Sequence, residues 1–464
     1  MVFYNFLDST MAILYNFLDS AMASLSSALW SMPLVILLLG GGIFFSIYSR
    51  LTPLLYFRHA IQVLMGKYDS DDAPGQITHF EALSSALAGT VGMGNIAGVA
   101  VAIHTGGPGA IFWMWVTAIL GMSTKFFTCT LALMYRGYDD KGEIQGGVMY
   151  YIEEGLGKKY SFLAKIFSAS GLFGCICFFQ ANQLAQIIRD SFYAPLNMFQ
   201  TNPFTGNLIT GMIVSCIVGS VIFGGIKRIA KVASRLVPTM VGLYLLAAFI
   251  VLAKNFTEIP GVFSLIIMDA FSGNAVAGGA LGSVIIIGVK RGLFSNEAGT
   301  GTETMAHGAA KTNEPVREGL VAMLGPFIDT IIVCSITALI ILISGVYTQD
   351  LNGVSMTAMA FKTELGLPGE IFLLIAVLTF AFSTMFGYSY YGQKCISHLF
   401  GTKWKKPYNI FYVVMLVIAS ISSLDIAVNF VDSAYAMMVI PTMFSSLMLS
   451  PKVIKEAKRY FSTF

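Results

Sequence analysis

Stretches of roughly 20 apolar residues, each long enough to cross the hydrocarbon core of a bilayer as a helix, recur along the whole 464-residue chain. They fall near 30–49, 77–104, 109–135, 161–189, 207–224, 235–253, 275–304, 318–345, 369–392, 407–423 and 426–449, bounded by Gly, Pro and clusters of charge. Only 11% of the residues are charged and 56% are hydrophobic, with a mean hydropathy of +0.73. So few charges cannot coat a water-soluble surface. The reading is an all-α polytopic membrane protein of 11 transmembrane helices, with the lipid bilayer as its solvent and no separate soluble domain.

Charge supplies an independent check, because one missed helix would scramble the alternation of Lys and Arg between the two sides. Take the N-terminus as outside. Of the 28 Lys and Arg residues, the outside segments carry Arg189, Lys254 and Lys362, and Lys125, Lys290 and Arg291 lie within spans. The other 22 fall on the inside, which supports eleven crossings and a cytoplasmic C-terminus. Lys125 lies near the inner half of its span, from where it is expected to snorkel.

The run "SMPLVILLLGGGIFFSIY" has no Lys or Arg before it and no small-residue cleavage site after it, so it reads as a retained helix. Before it stands a tandem duplication, "YNFLDSTMA" at 4 and "YNFLDSAMA" at 15. Its eleven-residue offset puts both copies on one helical face, as suits a segment lying on a membrane. The six cysteines sit in or beside apolar spans, so neither disulfides nor a metal cluster is expected.

Without the first helix, ten remain, and two sets of five must run in opposite orientation. The organisation is therefore an N-terminal segment 1–29, an extra helix 30–49, a first repeat 77–253, an inverted second repeat 275–449 and a tail 450–464. In each repeat the first helix is the interrupted one: "GTVGMGN" in the first, "GVKRGLFSNEAGTG" in the second. Paired interruptions in inverted halves point to a binding site at the midplane of a secondary transporter. One interruption alone would read more simply as a glycine packing face, Gly94 and Gly98 forming a GxxxG. Irregular backbone at this depth needs protein, water or a solute to satisfy it. An unwound "TVGMGN" offers amides to a carboxylate and carbonyls to a small cation, which together suit an amino acid and sodium.

Several stretches carry a resemblance. "GGPGAIFWMWVTAILG" at 106–121 is similar to the signature of the alanine or glycine:cation symporter family. "VGMGNIAGVAVAI" from 91, "GGVMYYIEEGLG" from 146, "FGGIKRIA" from 223, "RGLFSNEAGTG" from 291 and "FAFSTMFGYSYYG" from 380 resemble the same family, covering about 77 to 393. The resemblance implies a LeuT-type 5+5 inverted repeat preceded by one extra N-terminal helix. It also implies sodium-driven uptake of small neutral amino acids, alanine or glycine, through the cytoplasmic (inner) membrane of a prokaryote.

Carried over residue by residue, the resemblance gives the substrate carboxylate to the amides of Met93 and Gly94. Sodium goes to the hydroxyls of Ser383 and Thr384 and the carbonyls of Ala88, Val91 and Phe380. Gln180 is expected to contact the substrate's polar groups and Thr90 to add a hydroxyl, with interhelical bonding the plainer role for Gln180 and Asn182 and bonding to the preceding turn the plainer one for Ser383 and Thr384. Carbonyls near Gly288 and Gly292 are expected to receive the ammonium, and Phe294 to wall the pocket. Arg291 and Glu297, six residues apart, read as a structural or gating pair. Four positions depart from the family's pattern: Met93 for Thr or Ser, Thr128 for Glu, Tyr388 for Trp or Asn, and Gln393 for Glu. Met93 and Tyr388 reshape the pocket, while Thr128 and Gln393 each remove a carboxylate.

Other classes fit less well. There is no HExxH or GxSxG, no aspartate pair shares a span, and the five histidines sit mostly at span ends, which disfavours an intramembrane enzyme. No filter repeat marks a channel. No cofactor and no nucleic-acid partner is indicated, and sodium is the expected coupling ion, with proton coupling or another amino acid as the close variant.

Overall fold

The computed structural model describes residues 19–70, 72–224, 226–271 and 280–463, so most of the N-terminal duplication and the start of the span placed at 275–304 lie outside the described residues. The helices that matter below are α1 Met32–Tyr48, α2 His79–Thr90, α3 Gly94–Gly106, α4 Ala110–Met134, α5 Lys158–Tyr193, α6 Pro203–Ile222, α7 Ile226–Lys254, α8 Ile259–Ala270, α9 Ala280–Asn296, α10 Pro315–Ile343, α11 Val354–Leu365, α12 Leu367–Phe400, α13 Lys405–Ile421 and α14 Leu424–Phe461. Among the described residues seven helices are long and apolar enough to cross a membrane, or nine if each of two bent pairs is one span. The bent pairs are Asp19–Leu29 with α1, at 46°, and α2 with α3, at 52°. Helices α9 and α13 have 17 residues each.

Local chemistry fixes several starts. Thr78 and Glu81 close a reciprocal capping box at the head of α2. Asn202 caps α6 just ahead of Pro203, and the Ser423 hydroxyl accepts from the Ile426 amide at the head of α14. Two helices, α8 and α11, occupy stretches that hydropathy assigned to outside loops; twelve residues are too short to register as crossings.

Helix α4 forms the centre of the packing, because small residues let other helices close on it. A Cβ on Gly42 of α1 would stand 2.8 Å from the Leu120 Cβ, and one on Gly292 of α9 would stand 3.0 Å from the Thr117 Cβ. Helix α7 lies at the rim, with Leu243, Leu246, Phe249 and Ile250 exposed for lipid contact. The six cysteines are all free thiols.

Candidate functional site

The first interruption lies where α2 ends and α3 begins. Val91 leaves the helix with ψ 91°. The Gly92 amide, which would otherwise continue the helix by donating to Ala88, donates instead to the Asn95 Oδ1 at 2.8 Å. The carbonyls of the last turn of α2, Ala88 among them, are therefore released, and the first amides of α3, Met93 and Gly94, face away from any preceding turn. Both sets of groups are buried: Ala88, Val91 and Met93 have no exposed surface. Thr90 bonds back to the Ala86 carbonyl at 3.3 Å.

Helix α12 lies against this break. The Thr384 hydroxyl abuts the α-carbon of Gly92, and only a glycine leaves it room. Ser383 and Thr384 both donate to the Phe380 carbonyl, at 2.9 and 3.0 Å, which is the back-bonding of ordinary membrane helices and leaves their lone pairs open. Ala88 and Gly387 border a narrow cleft, also lined by Ser85, Ala306, Tyr390 and Tyr391. The five residues assigned to sodium thus stand on two facing elements, α2 and α12.

The second interruption is later than expected. Helix α9 runs unbroken to Asn296, and the backbone departs at Glu297 (φ 57°), Gly299 (φ 104°) and Gly301 (φ 83°). Gly288 and Gly292 lie inside the helix, where their carbonyls are committed to helical bonds. Their bare α-carbons seat α9 on Ala110, Trp113 and Thr117 of α4. Packing therefore stands where ammonium binding was expected; in the break itself the carbonyls of Glu297, Thr300, Gly301, Thr302 and Glu303 accept hydrogen bonds, so among the described residues those of Ala298 and Gly299 are the ones left without a partner.

Two widened π-helical turns bring the breaks together. One spans Gly94–Gly98 and the other Phe327–Cys334 within α10. Such turns release carbonyls from the helical ladder. The Ile96 carbonyl accepts the Thr357 hydroxyl of α11 at 3.0 Å, and the Asp329 carbonyl accepts the Asn95 side-chain amide at 3.0 Å. The buried Asp329 carboxylate also takes donors from Asn95 (2.5 Å), Ser295 (2.6 Å) and Thr330 (2.8 Å). One acidic side chain so ties both breaks to α10. Sequence reasoning missed it, because "FIDTII" reads as an ordinary apolar run with one acid.

Aromatic rings close the space above the breaks. Phe294 lies flat on Gly94 and Gly98, where an added Cβ would sit 3.4 Å from its ring. It meets Phe179 edge-on at 5.0 Å and Tyr435 at 6.0 Å. Tyr388 shares a 2.5 Å hydrogen bond with Tyr435, a residue that carried no sequence signal. Gln180, beside Phe179, is buried and has no side-chain hydrogen-bond partner among the described residues. Asn182 is spoken for, donating to the Ser422 carbonyl at 2.6 Å.

Three charge assignments change. Arg291 pairs with Asp432 of α14 and not with Glu297, and Lys290 joins the same carboxylate at 2.8 Å. A gap of six positions along a helix end sets no partner when a carboxylate on another helix is nearer. Lys125 does not snorkel; it is enclosed, 1% exposed, and acts electrostatically on Glu297 and Asp329. Thr128 does not leave its neighbourhood without a carboxylate, because its hydroxyl donates to Glu303 at 3.0 Å from the second break.

This geometry can be set beside known proteins. A model described as the sodium:alanine symporter family matches residues 15–464. The chain belongs to that family. It is 40% identical over 446 residues to the sodium/alanine symporter AgcS of Methanococcus maripaludis, covering 94% of this chain and 96% of the relative. It is 36% identical over 439 residues to the probable sodium/glutamine symporter GlnT of Bacillus subtilis, covering 93% and 88%. Among solved structures it resembles that of MhsT in complex with L-phenylalanine, with a TM-score of 0.59 at 15% identity, covering 84% of this chain and 100% of the other. That likeness concerns the fold. The family places the chain among multi-pass membrane transporters, not enzymes.

Proposed function

We propose that the protein is a sodium-coupled symporter that carries a small neutral amino acid, alanine or glycine, into the cell by alternating access. The observation that carries this reading is the meeting of the two breaks: Gly94 against Phe294, with Asn95 donating to the Ser295 hydroxyl at 3.2 Å. The Met93 and Gly94 amides would receive the substrate carboxylate, the carbonyls of Ala298 and Gly299 its ammonium, and Phe294, Tyr388 and Gln180 would shape the remaining space. Sodium would travel as co-substrate beside Ala88, Val91, Phe380, Ser383 and Thr384, whose uncharged oxygens are the donor type that a sodium ion takes. In this reading eleven helices cross the cytoplasmic membrane with the N-terminus outside, and 77–253 and 275–449 are the inverted repeats. The Ala88 cleft then opens to the cytoplasm, while Arg291, Lys290 and Asp432 close the outer side.

The names of the two relatives support sodium and an amino acid in this role. The test is uptake of radiolabelled alanine and glycine into proteoliposomes, first with an inward sodium gradient and then with a proton gradient at equal membrane potential. Accumulation with sodium is expected; equal uptake in either gradient would remove sodium coupling. If neither amino acid enters, glutamine and larger neutral amino acids are the next substrates to try, with Met93 and Tyr388 as the residues that changed the pocket.

A further inference from the structure

Glu297 and Glu303 stand at the two sides of the second break with no exposed surface. Each carboxyl has one oxygen held and one without a partner. The Thr302 hydroxyl bonds one oxygen of Glu297 and the Thr128 hydroxyl one oxygen of Glu303. Glu297 Oε1 and Glu303 Oε2 are buried and unpaired. The charged groups bearing on Glu297 are Lys125 of α4, Glu303 and Asp329 of α10. Lys125 is the one cation among these groups and bears on both Glu297 and Asp329, so with Glu303 three buried carboxyls share a single positive charge. If all three were ionised, two negative charges would stay uncompensated, and an unpaired anionic oxygen in a low-dielectric interior costs far more than an unpaired neutral one.

We propose that Glu297 and Glu303 form a proton-binding site at the second helix break, and that the transport cycle is sensitive to its occupancy. A proton suits a lone orphan oxygen, whereas sodium needs several oxygens converging on one point. The remaining titratable neighbours are neutral side chains. On α4, α5 and α12 they are Cys129, Cys175, Cys177 and Tyr391. Tyr435 of α14 faces Glu297, and Tyr151 faces Glu303. None of them supplies a positive charge.

The test uses the purified full-length protein. In detergent at neutral pH, infrared spectroscopy is expected to show the C=O stretch of protonated carboxyl groups, weakened in Glu303→Gln and in Glu297→Gln. In proteoliposomes at saturating sodium, wild-type uptake is expected to fall about tenfold per pH unit above the titration point, as for one essential proton, and Glu303→Gln to flatten that profile. The uptake arm rests on the amino-acid transport proposed above, and the infrared arm does not. An infrared band lost in the variants without any amino-acid uptake would sink the substrate reading and keep the proton site. A band and pH profile unchanged in both variants would overturn the site. A raised KM for sodium in Glu303→Gln with an unchanged pH profile would overturn it in favour of a sodium ligand. Should a Gln variant fail to fold, Thr128→Val, which releases Glu303 while keeping its carboxyl, must shift the pH profile for the proposal to hold.

Discussion

Thr384 shows how much one contact decides. Its hydroxyl occupies the space that any side chain at position 92 would need, so the absence of a Cβ at Gly92 and the hydroxyl at 384 form one arrangement. If that hydroxyl serves sodium, Thr384→Ala loses a charge-assisted contact of about 1.5–3 kcal/mol. The KM for sodium should then rise about tenfold or more. Uptake measured against sodium concentration checks this, and an unchanged sodium dependence would return Thr384 to simple back-bonding. The hydroxyl pair and the Gly92 interruption were legible in the sequence. Asp329, Glu303 and Tyr435 were not, because their meaning lies in partners far along the chain: Asn95 and Asp329 are 234 positions apart, Thr128 and Glu303 are 175.

Among elements, α9 and the short hairpin after α4 lend themselves to test. Hydropathy and glycine content marked α9 as interrupted, but a glycine signals both a break and a close helix contact, and only the neighbour tells them apart. At Gly288 and Gly292 that neighbour is α4. Gly292→Val should therefore cost about 1–3 kcal/mol from overpacking, seen as a lower melting temperature in detergent. A raised substrate KM with unchanged melting would instead support the carbonyl role. Outside the membrane, the hairpin β1 Gly137–Tyr138 and β2 Ile144–Gln145 places Asp140 against residue 402. The Thr402 hydroxyl and amide both donate to Asp140 at 3.1 Å and hold its carboxyl below the usual carboxylate range. A depressed folded value means that this contribution is present above the ordinary aspartate pKa and is lost as pH falls through the folded one. Acid should thus loosen the hairpin from the α12–α13 turn, an effect absent in Asp140→Asn and measurable by hydrogen exchange of the Thr402 amide.

At the scale of the whole molecule, two clefts beside the first break share part of their lining. The cleft beside Ala88 shares Gln76, Ile77 and Tyr390 with a larger polar one of about 1050 Å³ lined by Asp139, Glu143, Gln145, Lys394 and Lys405. That mouth carries Lys394 and Lys405, two of the residues whose charge puts this face inside in the proposed topology. Ser85→Cys, in a background with the exposed Cys216 replaced, should react with a membrane-impermeant thiol reagent added from the cytoplasmic side. Sodium and amino acid together should slow that reaction; labelling from the outside alone would invert the proposed topology. Where the long apolar helices run was readable because apolar length is a local property. The depth of each break was not, because it depends on which helix packs alongside.

The Trp30 indole donates to the Asp432 carbonyl at 2.9 Å across 402 positions, and the Asp432 carboxylate holds both Lys290 and Arg291. During synthesis, α9 therefore enters the membrane long before the residue that neutralises its two cations has been made. While the 141 positions from Arg291 to Asp432 are being made, α9 lacks the carboxylate that neutralises it in the final fold, and its two cations are costly in the membrane. Chains cut short before Asp432 should be degraded faster than chains cut just after α14, a difference that pulse-chase would reveal. One late aspartate would then act as the mark of a finished molecule.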